Sequence, residues 1–296
     1  MLNPAAGHGR ASREWPQVEA LLRASGTSFS LIRESTRERA LARLRALPPG
    51  PVVAVGGDGT AGALLPALAA GQRPLALVPL GTGNDFAGWL GLHGLGCLPD
   101  LLAGRAQARR LDLLRVQWQG PQGSGERLLM NGLGMGFDAQ LTAALPRAPG
   151  WLPGQARYLW AALGTLAQMR LHQGAVRVDG QVLSSGPTCL CAVMNGTRYG
   201  GGFLISPESD PADGRLNVVV GQSLSRARLP AMMLKVAQGR HLAAAQVVHA
   251  TGQTAAVTWQ EPAWLHLDGD VVGEVTSLQA EVLPGALTLL GPARSG

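Results

Sequence analysis

Gly56-Gly57-Asp58-Gly59-Thr60 closes a short apolar run, Val52 to Val55, and opens a helical pattern rich in alanine and leucine. Glycines let a backbone come close to a phosphate, and the free N–H groups of the following helix attract an anion. Asp58 repels a phosphate unless a cation stands between them. The stretch therefore points to a Mg²⁺-nucleotide, with Asp58 holding or polarising the metal or its waters. Gly56, Gly57, Gly59 and Thr60 become nucleotide-contacting positions. The plain structural reading of the same residues is a tight strand-to-helix turn capped by an aspartate.

The next strand ends in the same manner, at LALVPLGTGNDFAGWL, with Pro79, Gly81, Thr82, Gly83, Asn84 and Asp85 in a row. Thr82 and Asn84 offer hydrogen-bonding groups for a ribose, base or phosphate. Asn84 or Asp85 also reads as a helix N-cap. Two glycine-rich strand ends on neighbouring strands can wall one cleft, and ligands of open parallel sheets sit at such carboxyl ends.

The elements that must position these loops alternate in type. Residues 10–25 carry helix-spaced Trp15, Val18, Leu21 and Leu22, closed by Gly26. Phe29 to Ile32 reads as a short strand. Thr36 precedes an amphipathic helix that ends at Pro48-Pro49-Gly50. Val52–Val55 and Leu75–Val78 are strands without alternation, as in a parallel sheet covered on both faces, with a helix over about 60–70 between them. This predicts an α/β N-terminal nucleotide-binding domain with a parallel sheet over 1–112, which 286–296 can rejoin. Asn3-Pro4 resembles the end of a first strand that only Met1-Leu2 precede: either a stub or a late start. From 113 to 285 the segments are short, β-rich and separated by Gly, Pro and Asp turns, predicting a mostly antiparallel β-sandwich C-terminal domain. Helices are expected there over 156–172 and 229–242.

The chain has 296 residues, 46% of them hydrophobic, with no apolar run of membrane-spanning length. No apolar signal segment opens it, so a cytoplasmic location is expected. Cys97, Cys189 and Cys191 show no metal-type spacing, and a reduced compartment fits them. The net charge of +6 comes almost wholly from arginine, Lys235 being the sole lysine. Such a surface favours phosphate-bearing partners, including anionic lipid.

NPAAGHGRA (3–11), GGDGT (56–60) and PLGTGNDFA (79–87) together resemble the diacylglycerol kinase catalytic family of lipid kinases, in particular its small bacterial members. The likeness continues through LMNGLGMGFDA (129–139), MNGTRYGGGFLISPESDPADGRLNVV (194–219) and HLDGD (266–270), and so spans nearly the whole chain. It implies an ATP- and Mg²⁺-dependent kinase that phosphorylates a lipid hydroxyl, most readily that of diacylglycerol. It implies ATP in a cleft between the two domains, contacted by Asn3 to Gly7, Thr36, Gly57 to Thr60 and Thr82. It also implies a structural Mg²⁺ at the DPADGR turn, held by Asp213 with Asp210 and Arg215; a simple hairpin turn at Asp213-Gly214 is the alternative. The family's general base is the last residue of an L-D-G-E motif. Here the motif reads Leu267-Asp268-Gly269-Asp270, so Asp270, one methylene shorter, takes that role, or the four residues are a plain turn.

One further departure follows GGDGT, where the family usually has an apolar residue and then Asn-Glu. Ala61-Gly62-Ala63 stands there instead. Gly150-Trp151-Leu152-Pro153 and Tyr158-Leu159-Trp160 can line a lipid-accepting cleft, touch a bilayer surface or simply face a core. The expectation is a protein that visits the membrane surface peripherally and binds no nucleic acid, with a homodimer left open. Two rivals remain: an NAD kinase-like enzyme, which shares GGDGT, and a catalytically silent lipid- or nucleotide-binding regulator.

Overall fold

Apolar residues at helical spacing make α1 (Arg10–Ala24), which buries Ala11, Val18 and Leu22, and α2 (Arg37–Arg45), which buries Ala40 and Leu44. They open the first of two units in the computed structural model, which describes residues 1–152 and 154–292. This unit comprises Met1–Leu111 and the chain from Gly285 onward. After α2 come β1 (Val52–Gly56), α3 (Asp58–Ala70), β2 (Leu75–Pro79), α4 (Asp85–Trp89) and α5 (Leu98–Leu102). β1 and β2 pair in parallel, from Val52 opposite Leu75 to Gly56 opposite Pro79. Every residue of β2 is buried, as suits a strand covered on both faces. Leu2, Val18, Val55, Val78, Leu80 and Leu98 share one core cluster, each contributing about 1.5–3 kcal/mol relative to an exposed side chain.

The expected strand at Phe29–Ile32 does not form. Leu2 takes its place: it bridges Val55 on one side and Arg33 on the other, and its N–H donates to the Ile32 carbonyl at 2.8 Å. A single bridging residue gives the 29–32 backbone no ladder to extend. Phe29 instead packs edge-on against Trp15, with ring centroids 6.5 Å apart.

The second unit spans Asp112–Pro284. Its elements are β3 (Gln107–Gly120), β4 (Gly123–Leu129), β5 (Gly132–Gly136), α6 (Phe137–Ala144), α7 (Gly154–Thr165), β6 (His172–Val178), β7 (Gln181–Met194), β8 (Leu216–Gln222), α8 (Leu229–Ala237), β9 (Val247–Gly252), β10 (Thr254–Leu267) and β11 (Asp270–Gly291). The ladders β11–β10, β10–β5, β5–β7, β7–β8 and β8–β9 are all antiparallel, and β6 pairs with both β10 and β7. The end of β11, from Gly285 onward, belongs to the first unit, where Leu289 pairs in parallel opposite Leu75. The parallel ladders thus belong to the α/β unit, and the ladders named for the second unit are antiparallel.

Both helices expected in this unit are shorter than their sequence pattern. α7 gives way to a 3₁₀ turn over Leu166–Gln168, because His172 already belongs to β6. α8 ends at Ala237, and Gly239, at φ 68°, turns the chain away in the left-handed conformation that favours glycine. The three cysteines are buried free thiols; burial pushes the Cys189 thiol up to about 12, which makes it inert as a nucleophile. Among the described residues no helix is long and apolar enough to cross a membrane. Of the positions singled out from sequence, Pro153, the Tyr158 side chain and 293–296 lie outside the described residues.

Candidate active site

In the first unit the three motif stretches meet through their backbones. Gly57 ends β1's loop and Gly81 ends β2's, and a Cβ on Gly81 would stand 2.3 Å from the Cα of Gly57. A Cβ on Gly7, itself at φ 59°, would stand 2.2 Å from the Leu80 carbonyl oxygen. No side chain larger than hydrogen fits at these crossings. Asn3 ties the first stretch to the second: its Nδ2 donates to Thr60 Oγ1 at 3.3 Å, and its Oδ1 accepts the Ala5 N–H at 3.1 Å. Gly56 faces Thr60 as well, at a distance that only glycine permits.

Asp58 stands half-buried in the first turn of α3, and its Oδ2 accepts the Phe86 N–H of α4 at 3.2 Å. The carboxylate thereby joins the two glycine loops. Asn84 is spent differently from a ribose-binding group. Its Oδ1 accepts the Gly81 N–H at 3.0 Å, and its Nδ2 donates to the Pro79 and Gly81 carbonyls at 3.2 and 3.0 Å. With φ 53° it occupies the N-cap position of α4 yet bonds backward, stapling the loop. Thr82 and Gly59 are exposed, and a Cβ on Gly59 would meet nothing within 4 Å. Gly59 is thus a glycine that no contact within the protein requires.

Thr36 is exposed at the N-cap of α2 and makes no capping bond. Its neighbour Arg37 donates through Nη2 to the Gly62 carbonyl at 2.8 Å. Ala61 and Gly62 are buried, so the small residues after GGDGT bring α3 against α2.

In the second unit the L-D-G-D motif forms the tight turn between β10 and β11. Asp268 and Gly269 take φ 49° and 86°, with Leu267 opposite Asp270. Asp268 turns inward. Its Oδ2 accepts the Met130 N–H at 2.9 Å, and its Oδ1 accepts those of Asn131 and Gly132 at 3.1 and 2.8 Å. Burial pushes its carboxyl above the usual range, and these three donors pull against that shift. Asp270 points outward, with its side chain 71% exposed and Oδ2 3.3 Å from Arg127 Nη1.

The DPADGR turn is tied internally. Asp210 Oδ1 accepts the Ala212 N–H and Asp213 Oδ1 accepts the Arg215 N–H. The buried Asp112 reaches over to accept the Gly214 N–H at 2.7 Å. Desolvation of its carboxyl, with Asp210 and Asp112 close by, raises the pKa of Asp213. Among the described residues no three His, Cys, Asp or Glu side chains form a metal-holding group.

Two roles were missed from sequence. The L-D-G-D motif by itself assigns none to Asp268. Asp138 likewise has no role that its sequence stretch assigns, yet its Oδ2 accepts the Tyr199 hydroxyl and lies 3.6 Å from Nε2 of the buried His266. A Cβ on Gly134 would stand 1.8 Å from that same Oδ2, so the glycine alternation of GLGMG was the available signal.

Residues 1–116 match the diacylglycerol kinase catalytic domain, and residues 132–291 match the YegS C-terminal NAD kinase beta sandwich-like domain. The chain is 29% identical to a Mycobacterium tuberculosis protein named diacylglycerol kinase, over 99% of this chain and 94% of that one. It is 31% identical to a "Probable lipid kinase YegS-like" protein of Xanthomonas oryzae pv. oryzae, over 74% and 72%. In fold it is similar to the crystal structure of a diacylglycerol kinase from Bacillus anthracis, with TM-score 0.64, 17% identity, and 98% and 94% of the chains covered.

Proposed function

Because the chain belongs to the family of diacylglycerol kinases and YegS-like lipid kinases, and so is a lipid kinase using ATP, we propose that it phosphorylates the free hydroxyl of diacylglycerol to give phosphatidic acid. The acceptor oxygen attacks the γ-phosphorus, ADP leaves, and the hydroxyl proton passes to a carboxylate, for which Asp270 is the candidate. Phosphoryl transfer asks little of a protein beyond alignment, charge neutralisation and such an acceptor.

The observation that carries this reading is the meeting of the three loops, with Gly59 left open beside Asp58. The loop backbones and the start of α3 receive the phosphates, with Asn3, Gly7, Gly56, Gly57 and Thr60 shaping the floor and Thr82 and Thr36 at exposed positions. Asn84 serves by holding the second loop rather than by touching the nucleotide.

Asp58 fits Mg²⁺ as a hard oxygen donor beside phosphates; bound there, the ion would neutralise charge on the transferring group. A structural Mg²⁺ at the DPADGR turn fits less fully. Asp213 offers one carboxylate, and the remaining ligands would come from the backbone at Asp210 and Arg215.

The test is labelled phosphate transfer from ATP to diacylglycerol, other hydroxyl lipids and NAD in separate reactions, with and without EDTA. The expected product is phosphatidic acid, lost with EDTA. Label confined to NAD, or to another lipid, would overturn the acceptor, and undiminished turnover in EDTA would overturn the Mg²⁺ requirement.

A further inference from the structure

α7 turns its small residues inward and its large apolar ones outward. Ala161 and Ala162 are buried, whereas Leu159, Trp160 and Leu163 are 46%, 44% and 58% exposed. An ordinary core-facing helix does the reverse. Trp151, in the turn before α7, is 80% exposed, and Leu234 on α8 is 61% exposed. Both helices rest on one core cluster, through Ala161 and Ala162 on one side and Leu229 on the other. A concentration of exposed tryptophan and leucine on one lobe marks a surface that meets something apolar.

The stretches of chain that carry these two helices hold charges of one sign. Residues 139–178 contain no Asp or Glu and four arginines, and residues 214–260 contain no Asp or Glu and five cations. Arg147, Arg170, Arg228 and Lys235 are exposed. The two acid-free stretches are the ones that carry α7 and α8. Exposed apolar side chains on segments whose charges are all positive complement an anionic bilayer: aromatic rings settle at the headgroup level and basic residues meet the lipid phosphates.

We infer that the α7–α8 lobe, led by Trp151, Trp160, Leu163 and Leu234, is the docking surface of this protein for an anionic lipid membrane. The inference rests on the lipid-kinase reading for its meaning, since an enzyme with a bilayer-held acceptor has to reach the headgroup plane. It depends on no catalytic residue.

The experiment is co-sedimentation of the full chain with vesicles of phosphatidylcholine, alone or mixed with phosphatidylglycerol, at low and high salt. The wild type is expected to sediment with the anionic vesicles and to be released by salt. Leu163→Ser with Leu234→Ser should weaken that partition about tenfold or more. Arg228→Glu with Lys235→Glu should weaken it and abolish its salt dependence. Both variants should phosphorylate a dispersed short-chain diacylglycerol as the wild type does. Equal partition of wild type and variants, or no preference for anionic vesicles, overturns the inference. So does light scattering in which the apolar variant turns a dimer into a monomer, which would give the face to a second copy. Failure of all proteins on dispersed diacylglycerol would instead strike the acceptor reading and leave the vesicle result to stand alone.

Discussion

The Cα of Gly57 lies where a Cβ on Gly81 would come within 2.3 Å, so the ends of β1 and β2 are held at backbone contact. Gly81→Ala forces two backbones apart, and this is expected to cost about 1–3 kcal/mol and to weaken ATP binding about tenfold or more. Gly59 provides the contrast, because a Cβ there meets open space. Gly59→Ala sits in the first turn of a helix, where alanine is preferred, so its melting temperature should hold or rise while ATP affinity falls. Nucleotide titration beside thermal melting checks both. Unchanged ATP affinity in Gly59→Ala would remove the phosphates from that space.

Asp58 joins structure and chemistry through one carboxylate, and two substitutions separate them. Asp58→Asn keeps an oxygen for the Phe86 N–H but loses the charge. It should melt close to the wild type while kcat/KM falls about 10²–10³-fold. Asp58→Ala also leaves that N–H without its acceptor, adding about 1 kcal/mol of destabilisation. Full turnover by Asp58→Asn would confine the residue to joining the loops.

Those loops were legible in sequence because they rest on local rules: a buried strand, glycines, then a helix start. Asn84 was legible as a polar residue but not as a staple, since its partners are backbone carbonyls whose direction depends on its left-handed φ of 53°. The Phe29–Ile32 segment has strand composition but lacks a ladder, because pairing depends on a partner distant in sequence. Asp268 and Asp138 escaped for the same reason. Their partners at 130–132, 199 and 266 are far along the chain, and only packing brings them together. α7 is legible as a helix but not by face, since residue spacing does not decide which side the core will take.

His172 gives the fold an acid-sensitive element. Its ring is buried and stacked on Trp259 at 4.7 Å and 8°, and burial holds its pKa below the usual 6.5. The unfolded chain takes up this proton near pH 6.5 and the folded chain does so only at lower pH. The contribution to stability is therefore fully present above about pH 6.5 and is lost as pH falls toward the lowered folded value. His172→Phe keeps an aromatic ring on Trp259 and removes a buried Nδ1 that has no hydrogen-bond partner. Its denaturant midpoint should match or exceed the wild type's at pH 8 and fall less between pH 7 and pH 5. His241, also buried and lowered, should account for slope that remains. An unchanged slope in His172→Phe would show that this imidazole does not titrate differently on folding.

The turn at 267–270 divides its work between two aspartates, and their variants should behave oppositely. Asp268 gathers three N–H donors on two oxygens. In Asp268→Asn an amide –NH₂ must face at least one of them, a mismatch worth about 1–3 kcal/mol, and melting should fall. Asp270 is exposed, and its 3.3 Å pairing with Arg127 also lies at the surface. Such pairs add little to stability, so Asp270→Asn and Arg127→Ala should melt like the wild type. Turnover of Asp270→Asn should nonetheless drop about 10²–10⁴-fold, as expected when a carboxylate that takes the hydroxyl proton becomes an amide. Asp270→Glu restores a carboxylate one methylene longer and should turn over at least as well as the wild type. If Asp270→Asn kept wild-type kcat, the proton acceptor would have to be sought elsewhere, and this turn would be left with the structural part that Asp268 plays.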